Sequence, residues 1–404
     1  MSDATRIDTS VPGDVPEGPL FDAWRVAPLD LEGFRALGAG DRPSRDQLAR
    51  LAGFALLAPT THNTVPQRFE LDEADGALRV WVAREAVLPE SDPAGRQATV
   101  SIGCVVENAV LAGAVYGYDA EIVPLSGADA VRPPRADEPD LVPVVAVRFR
   151  AGGAPLAAAW LDAMRARKMV RAEYDERVRI PPELLAELGE TVRALHPGLT
   201  LHVLTDAPTK LFLGKFQELA DTTVINRERF ARELGDWLLP NDSAASVGMR
   251  GREYGLSDAA SERMYLGLRG EVRLFPDETA GFAKGGNLGM RTASAVLVIT
   301  AAEDDFAHRL AAGRAFQRLA LRLVDAGFCT TMHAGITEVE APNMALRGRL
   351  RTRQRPTVVF RAGRPLHHEE GQRPHASRPS LEALLVDQAE GEAIRKAGRE
   401  EGRK

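Results

Sequence analysis

The stretch that organises this chain reads Ala58-Pro59-Thr60-Thr61-His62-Asn63-Thr64-Val65-Pro66-Gln67-Arg68-Phe69. An apolar helical pattern at 48–57 leads into it and a strand pattern at 69–71 leads out, so its two prolines predict an ordered turn between a helix and a strand. The short polar side chains between the prolines can offer hydroxyls, an amide and backbone N–H groups to a planar polar ligand. The same composition is typical of a plain helix-to-strand connection, and the residues alone leave both interpretations open.

Length, composition and charge limit the classes of protein to which the chain can belong. A length of 404 residues is enough for two globular units. Hydrophobic residues make up 44% of the chain and charged residues 27%, which is typical of a water-soluble protein. The net charge of −6 argues against a general nucleic-acid binder, which usually carries a basic face. We therefore expect no nucleic-acid partner.

The cysteines and the apolar runs predict a cytoplasmic protein without a membrane span. Cys104 and Cys329 lie within or at the end of apolar helical patterns, which favours two buried thiols over a disulfide, as in a reducing compartment. The first residues show no apolar stretch of the kind found in signal peptides. The longest apolar runs, such as 293–302, reach about half of the length that a membrane helix needs.

Two segments recur along the chain at nearly the same offset. Residues 147–152 read Val-Arg-Phe-Arg-Ala-Gly and residues 358–363 read Val-Val-Phe-Arg-Ala-Gly, an offset of 211. A buried helical pattern containing Gly103 and Leu111 returns with Gly313 and Leu321, an offset of 210. The recurrence predicts two copies of one α+β unit of about 200 residues. Chance similarity between two common helix–turn–strand patterns is the alternative.

The repeat divides the chain into five segments. They are an N-terminal extension at 1–45, a first copy at 46–152, a second copy at 153–385, an insertion at 235–292 within the second copy, and a charged tail at 386–404. The insertion is rich in Gly, Asp and Ser and has no counterpart in the first copy. Long insertions of this kind are commonly lids or binding loops.

The order of these motifs resembles that of the nitroreductase-type FMN-binding flavoproteins, and in particular their long, internally duplicated Acg-type branch. The 59–69 stretch is similar to the family's Pro-Ser-x-x-Asn-x-Gln-Pro-Trp loop, with Val65 where Gln is usual and Gln67 where Trp is usual. Residues 167–171 resemble its Arg-x-Ser/Thr-x-Arg phosphate motif, with Met169 in place of the hydroxyl residue. Without the resemblance, a solvated basic helix end is an equally good interpretation of that segment. Residues 377–382 resemble the family's C-terminal Arg-Pro-x-x-Glu.

The resemblance spans roughly residues 46–385 and implies a fold and a cofactor site. The fold would be α+β, with two nitroreductase-like halves fused as a pseudo-dimer and with 235–292 as a lid over one FMN held noncovalently between the halves. The flavin ring would lie against Pro59, Thr60, Thr61 and Asn63, and the phosphate would bind Arg167, Arg171 and Arg378. Backbone groups near the ring edge would come from Thr331, His333, Ala334 and Gly335.

The resemblance also implies an oxidoreductase, although the residues identify no catalytic side chain. In this family a reductant such as NAD(P)H, or a substrate, reduces the flavin and leaves, and a small-molecule acceptor then takes the electrons in a ping-pong mechanism. We keep three alternatives: an FMN-storing protein without turnover, a dedicated flavin oxidase or dehydrogenase for one biosynthetic intermediate, and an interaction scaffold whose flavin site has decayed.

Metal binding and assembly complete the expectations. The run His367-His368-Glu369-Glu370 does not predict a metal site, because adjacent side chains do not converge easily on one ion. We expect a monomer with an internal pseudo-dimer, or a homodimer of that unit.

Overall fold

The structure of the protein, a computed structural model, describes residues 19–389 and 391–394. The side chains of 128, 129, 276–279 and 282 are not part of that description. Residues 1–18 of the predicted extension, and residues 390 and 395–404 of the predicted charged tail, lie outside it.

The described part of the N-terminal extension is anchored on the protein body by aromatic residues. A single 3-10 turn, Asp22–Arg25, precedes helix α1, Leu31–Ala36. Phe21, Trp24 and Phe34 are buried, as their apolar character within a polar segment predicts. The Phe34 ring stacks on Tyr116 with ring centroids 3.7 Å apart.

The first half of the chain forms a four-stranded antiparallel sheet. Its elements are α2 (Arg45–Leu56), β1 (Gln67–Asp72), β2 (Ala77–Ala83), α3 (Arg96–Val115), β3 (Tyr118–Pro124) and β4 (Leu141–Ala151). Helix α2 begins where the sequence predicts, because the Ser44 hydroxyl accepts from Gln47 N and the Gln47 side chain accepts from Ser44 N. The strand order is β1-β2-β4-β3.

The second half forms another four-stranded antiparallel sheet with the corresponding order, β5-β8-β10-β9. Its strands are β5 (Leu199–Leu204), β8 (Ala295–Ala301), β9 (Cys329–Met332) and β10 (Arg355–Gly363), and a separate two-stranded sheet pairs β6 (Leu238–Leu239) with β7 (Met249–Arg250). Its helices are α4 (Ala159–Ala166), α5 (Pro182–Leu195), α6 (Ala207–Ile225), α7 (Glu228–Trp237), α8 (Asp258–Leu268), α9 (Pro276–Thr292), α10 (Phe306–Asp325), α11 (Gly335–Glu338), α12 (Glu340–Leu350) and α13 (His368–Gly371). The two recurring segments of the sequence fall on β4 and β10, which hold the same place in their sheets. The predicted mixture of helices and sheets is therefore confirmed.

Helices α3 and α10 cross at the centre of the protein, and glycines permit the close approach. A Cβ added to Gly103 would lie 2.8 Å from the Cα of Gly313, and a Cβ added to Gly313 would lie 2.9 Å from the Cα of Val100. By length and composition, α3 could cross a membrane, but 89% of its apolar window is buried inside the protein. Cys104 and Cys329 are both free and buried, as predicted.

The connection between β5 and β8, residues 205–294, is largely helical and extends well beyond the 235–292 insertion read from the sequence. The Gly-rich run at 285–289 lies inside helix α9. Gly286 and Gly289 are explained by packing, since a Cβ at Gly286 would lie 2.7 Å from the Asp221 carboxylate of α6 and one at Gly289 would lie 2.7 Å from the Cζ of Arg361. Close contact with a neighbouring element outweighs the low helix propensity of glycine here.

Candidate functional site

A cleft opens where five distant segments of the chain meet. Its empty space of about 500 Å³ includes the opening to solvent. Its lining consists of Trp24, Pro59, Thr60, Asn63, Arg167, Lys168, Met169, Arg171, Met249, Glu253, Pro374, His375, Ala376 and Arg378. Six of the eleven predicted site residues are thus brought together by the fold: Pro59, Thr60, Asn63, Arg167, Arg171 and Arg378.

The 59–66 loop enters the cleft in an unusual backbone conformation. His62, Asn63 and Val65 adopt left-handed φ angles of 48°, 54° and 48°, which residues other than glycine seldom adopt and which is a genuine outlier for a β-branched residue such as Val65. The Thr60 hydroxyl accepts a hydrogen bond from Val65 N at 3.1 Å and so helps to hold this shape. Concentrated backbone strain of this kind is a feature of functional sites.

Asn63 ties the loop to two other walls of the cleft. Its Nδ2 donates to the carbonyls of Gly248 at 2.9 Å and Ser377 at 3.1 Å, while Gly248 N donates to the Asn63 carbonyl at 2.9 Å. Arg250, next to this contact, donates to the Ser377 hydroxyl at 2.7 Å. The 248–254 segment of the predicted lid is therefore fastened to the 59–66 loop by buried hydrogen bonds.

Arg378 is engaged by the protein itself. Its guanidinium donates to the carbonyls of Leu56, Ala58 and Ser377 and to Oδ1 of Asn63. Burial, followed by the nearby charge of Arg167, lowers its pKa to about 9. These contacts suit a residue that shapes the loop, and the prediction that Arg378 also meets a phosphate stays a prediction.

Arg167 and Arg171 retain more capacity to bind a ligand. Arg167 is buried and donates to the Leu57 carbonyl at 3.0 Å, but its Nε has no partner, and burial lowers its pKa to about 10. The Arg171 guanidinium lies 4.4 Å from the centroid of the Tyr254 ring. In the described part of the chain its side chain makes no hydrogen bond and no ion pair.

The cleft is not lined by Thr61 or by the four residues predicted at the ring edge, which are Thr331, His333, Ala334 and Gly335. Thr331 and His333 lie directly behind the 167–171 segment, where Met169 pairs with Thr330 and Val170 N donates to the Thr330 carbonyl at 3.3 Å. Gly335, further along, packs on Asp221 of α6. Their predicted role at a flavin edge remains untested by this arrangement.

His333 is a buried imidazole with an unsatisfied nitrogen. Its Nε2 has no hydrogen-bond partner. Burial, and then the charges of Arg361 and Arg171, lower the pKa of His333 well below its usual value. The ring is therefore neutral near pH 7, and its Nε2 can either donate or accept a hydrogen bond, depending on the tautomer.

Several residues of the cleft were missed by sequence reasoning. Trp24 donates its indole N–H to the Ala376 carbonyl at 2.9 Å and packs on His375 with ring centroids 4.2 Å apart. Met249 and Glu253 come from the predicted lid. A tryptophan within a polar extension was the one signal that the sequence offered for this part of the cleft.

The charges in the cleft fit a ligand that carries a phosphate. Arg167, Lys168, Arg171 and Arg378 line it together with a single acid, Glu253. The Nε of Arg167 and the Nδ1 of His375 are buried without partners. Guanidinium groups satisfy phosphate oxygens with charge-assisted hydrogen bonds, which would offset the cost of burying these cations.

A metal does not fit the described residues as well as an anion does. Across 19–389 and 391–394, no group of three or more His, Cys, Asp or Glu side chains could hold a metal ion.

No family model matches the chain. It is 25% identical over 318 residues to the uncharacterized protein Rv3127 of Mycobacterium tuberculosis, with 76% of this chain and 84% of that protein covered. It is similar to the FMN and NADPH-dependent nitroreductase NfnB from Sphigopyxis sp. strain HMH, at 18% identity and a TM-score of 0.38 over 58% of this chain and 99% of that one. It is also similar to the FMN-dependent nitroreductase NfnB from Mycobacterium smegmatis, at 15% identity and a TM-score of 0.38 over 57% and 98%. Matches this distant do not by themselves assign an activity.

Proposed function

We propose that the protein is an FMN-dependent oxidoreductase of nitroreductase type, with a single FMN bound noncovalently in the cleft between its two halves. The observation that carries the proposal is the pairing of two features across one cleft. A strained polar loop from the first half, 59–66, faces a cationic segment from the second half, 167–171. The first suits a planar ring and the second a phosphate.

We also propose that the two halves arose by duplication of one unit, which places the cleft at an internal pseudo-dimer interface. The two sheets share one strand order. Gly103 and Gly313, equivalent by the 210-residue offset, pack on each other where α3 crosses α10. A twofold interface requires such self-complementary contacts, in which equivalent residues meet around the axis.

The chain's own residues would position the cofactor in distinct ways. Arg167 and Arg171 would hold the phosphate, while Arg378 keeps the 59–66 loop in shape through the carbonyls it binds. The 248–254 segment would exclude water from the ring, and the Thr331–Gly335 stretch would supply polar groups at the ring edge. When bound, FMN supplies a two-electron carrier that NAD(P)H or a substrate reduces and a small-molecule acceptor reoxidises.

One observation favours a second function, the storage of FMN without turnover. The 248–254 segment is fastened to the 59–66 loop by reciprocal bonds between Asn63 and Gly248 and by the Arg250–Ser377 bond. Walls tied together in this way would resist the movement that admits a nicotinamide to the ring, so reduction would be slow compared with other flavoenzymes.

The test begins with the visible absorbance spectrum of the purified protein and with the release, identification and quantification of its flavin. One FMN per chain is expected. Anaerobic mixing with NADH or NADPH, followed by addition of an acceptor, then separates turnover from storage. A protein that carries no flavin and binds no added FMN would overturn the proposal, and FMN bound at two per chain would overturn the single site.

A further inference from the structure

Arg361, in the middle of β10, is a buried cation without a counter-ion. Its side chain is 3% exposed, and its Nε and Nη1 have no hydrogen-bond partner. In the part of the chain that the structure describes, it forms no ion pair. Its guanidinium packs on the Tyr174 ring at 4.1 Å from the centroid. Gly289 of α9 covers it, and a Cβ there would lie 2.7 Å from the Arg361 Cζ.

The contacts present do not compensate for this burial. A cation–π contact stabilises a guanidinium by less than the desolvation of a buried ion costs. Glu370, an acid whose charge acts on Arg361, is bound through Oε1 to Arg373 at 3.2 Å, and its Oε2 is buried without a partner. Burial lowers the pKa of Arg361, and the charge of Arg171 lowers it further. Orphaned buried donors of this kind commonly mark the place of an ion or a ligand.

The surroundings of Arg361 are rich in donors. His333, whose Nε2 has no partner, is subject to the charges of both Arg361 and Arg171. Thr331 lies opposite Arg361 in the β9–β10 ladder, and its hydroxyl is already bound to the Val170 carbonyl at 2.6 Å. Arg171 lines the cleft. The group therefore begins at the wall of the cleft and continues behind it, with two guanidinium groups and an imidazole but few acceptors.

We propose that Arg361 and His333, behind the wall of the cleft, form a subsite for an oxyanion of the substrate, either a carboxylate or a phosphate. Charge-assisted bonds from the Arg361 guanidinium select such a group, and Tyr174 keeps the Arg361 plane in position. That the anion belongs to the substrate rests on the proposed function. The existence of an oxyanion site does not, because it follows from the unpaired groups alone.

The test measures the thermal unfolding temperature of the purified protein against increasing potassium phosphate or sodium benzoate, with chloride at matched ionic strength. Ligands that bind only the folded state raise this temperature. Arg361→Met is compared with Arg353→Met, a matched change at an exposed arginine. We expect wild type and Arg353→Met to gain stability from at least one of the two oxyanions but not from chloride. In Arg361→Met that oxyanion should bind about ten- to a hundredfold more weakly.

The order of the unfolding temperatures of wild type and Arg361→Met should also reverse as the oxyanion concentration rises. Without an oxyanion, Arg361→Met should unfold at a higher temperature than wild type, because an unpaired buried charge is gone. At saturating oxyanion it should unfold at a lower one. An Arg361→Met protein that is less stable at every concentration would make the arginine structural, and a wild type that responds to neither oxyanion would overturn the subsite.

Repeating the titration with FMN-saturated protein shows whether the site binds an anionic group of the substrate or the phosphate of FMN itself. A stabilisation that persists supports a substrate subsite, and phosphate against benzoate then distinguishes its two chemical sources. A stabilisation that FMN abolishes means that the cofactor's own phosphate occupies the site, which overturns the proposal. If the protein binds no FMN, the proposed function fails, while the comparison of Arg361→Met with wild type still decides the oxyanion site.

Discussion

Each half of the protein contains a four-stranded sheet with the same strand order, but the connections between its elements differ. In the first half, residues 57–66 join α2 to β1 and contain the strained loop, whereas only His196, Pro197 and Gly198 join α5 to β5. Conversely, a tight turn at 73–76 joins β1 to β2, while residues 205–294 join β5 to β8. The scaffold is repeated, but each of the two long connections that build the cleft occurs in one half only. Function here resides in connections placed on a common frame.

The α3–α10 crossing shows the same contrast within the core. Glu107 of α3 binds Arg314 at 2.9 Å and also pairs with Arg318, whereas Asn108 accepts a hydrogen bond from Gln317 at 2.7 Å. By the offset of 210, Glu107 corresponds to Gln317 and Asn108 to Arg318. The Glu107–Arg318 contact is thus ionic, whereas the equivalent contact between Gln317 and Asn108 is neutral. The geometry is kept while the chemistry of the two sides differs.

The strongest test of the asymmetry removes the phosphate ligands proposed for the one cleft. Arg167→Ala/Arg171→Ala should weaken FMN by roughly two to four orders of magnitude, since charge-assisted hydrogen bonds contribute about 1.5–3 kcal/mol each. The matched control, Arg45→Ala/Arg50→Ala, changes arginines that precede the loop of the other half. Flavin fluorescence measures binding, and circular dichroism checks the fold. Equal dissociation constants in the two double variants would remove the arginines from the site.

The ionic and neutral contacts of the crossing should differ in strength. Glu107 is completely buried and its two arginines are partly exposed, so Glu107→Ala should cost about 3 kcal/mol of unfolding free energy, at the low end for a broken buried ion pair. Asn108→Ala removes neutral hydrogen bonds and should cost about 1.5 kcal/mol. Urea unfolding measures both. An Asn108→Ala variant as unstable as Glu107→Ala would contradict the proposed difference.

The glycines of the crossing should behave alike, because both halves depend on the same close approach. Gly103→Ala and Gly313→Ala should each lower the unfolding free energy by about 1–3 kcal/mol, the usual cost of overpacking. Gly53 of α2 has open space around it, so Gly53→Ala should instead stabilise the protein by about 0.5–1 kcal/mol. A neutral effect at one crossing glycine alone would show that the two sides are not equivalent.

The smallest expected effect concerns the segment fastened over the cleft. Ser377→Ala removes the hydroxyl that accepts from Arg250, a loss of about 0.5–1.5 kcal/mol. FMN exchange and NAD(P)H reduction should therefore speed up by a few-fold to about tenfold. Ser380→Ala, an exposed change nearby, is the control. Stopped-flow absorbance measures the rates, and identical rates in both variants would show that this bond does not limit access.

The elements and their repetition could be predicted from the sequence because local patterns encode them. The apolar pattern at 48–57 covers most of α2, and Gly103 and Gly313, which recur at an offset of 210, lie at the α3–α10 crossing. The cleft was predictable only in part. Pro59, Asn63 and Arg171 belong to recognisable motifs, whereas Trp24 and Glu253 reach the cleft through long-range packing that leaves no periodic signal.

Two further features were hidden for physical reasons. A Gly-rich composition favours loops, yet the 285–289 run lies inside α9, where Gly286 packs closely on Asp221 and Gly289 on Arg361. Arg378 matched a phosphate motif, but a motif does not reveal that the carbonyls of Leu56 and Ala58 already accept its hydrogen bonds. Which groups bind the Arg378 guanidinium depends on their positions in the folded protein, and a sequence motif does not give those positions.

The long separation between α3 and α10 has a consequence for the newly made chain. Helix α3 ends at Val115 and its partner α10 ends at Asp325, so during synthesis at 5–20 residues per second the ribosome needs roughly 10–40 s to complete the partner. Throughout that interval the apolar face of α3 lacks its main cover. A free dimer subunit would have to wait for a second molecule, whereas this chain waits only for its own C-terminal half. Under the proposed duplication, a concentration-dependent encounter is replaced by a fixed delay, during which chaperones are most needed.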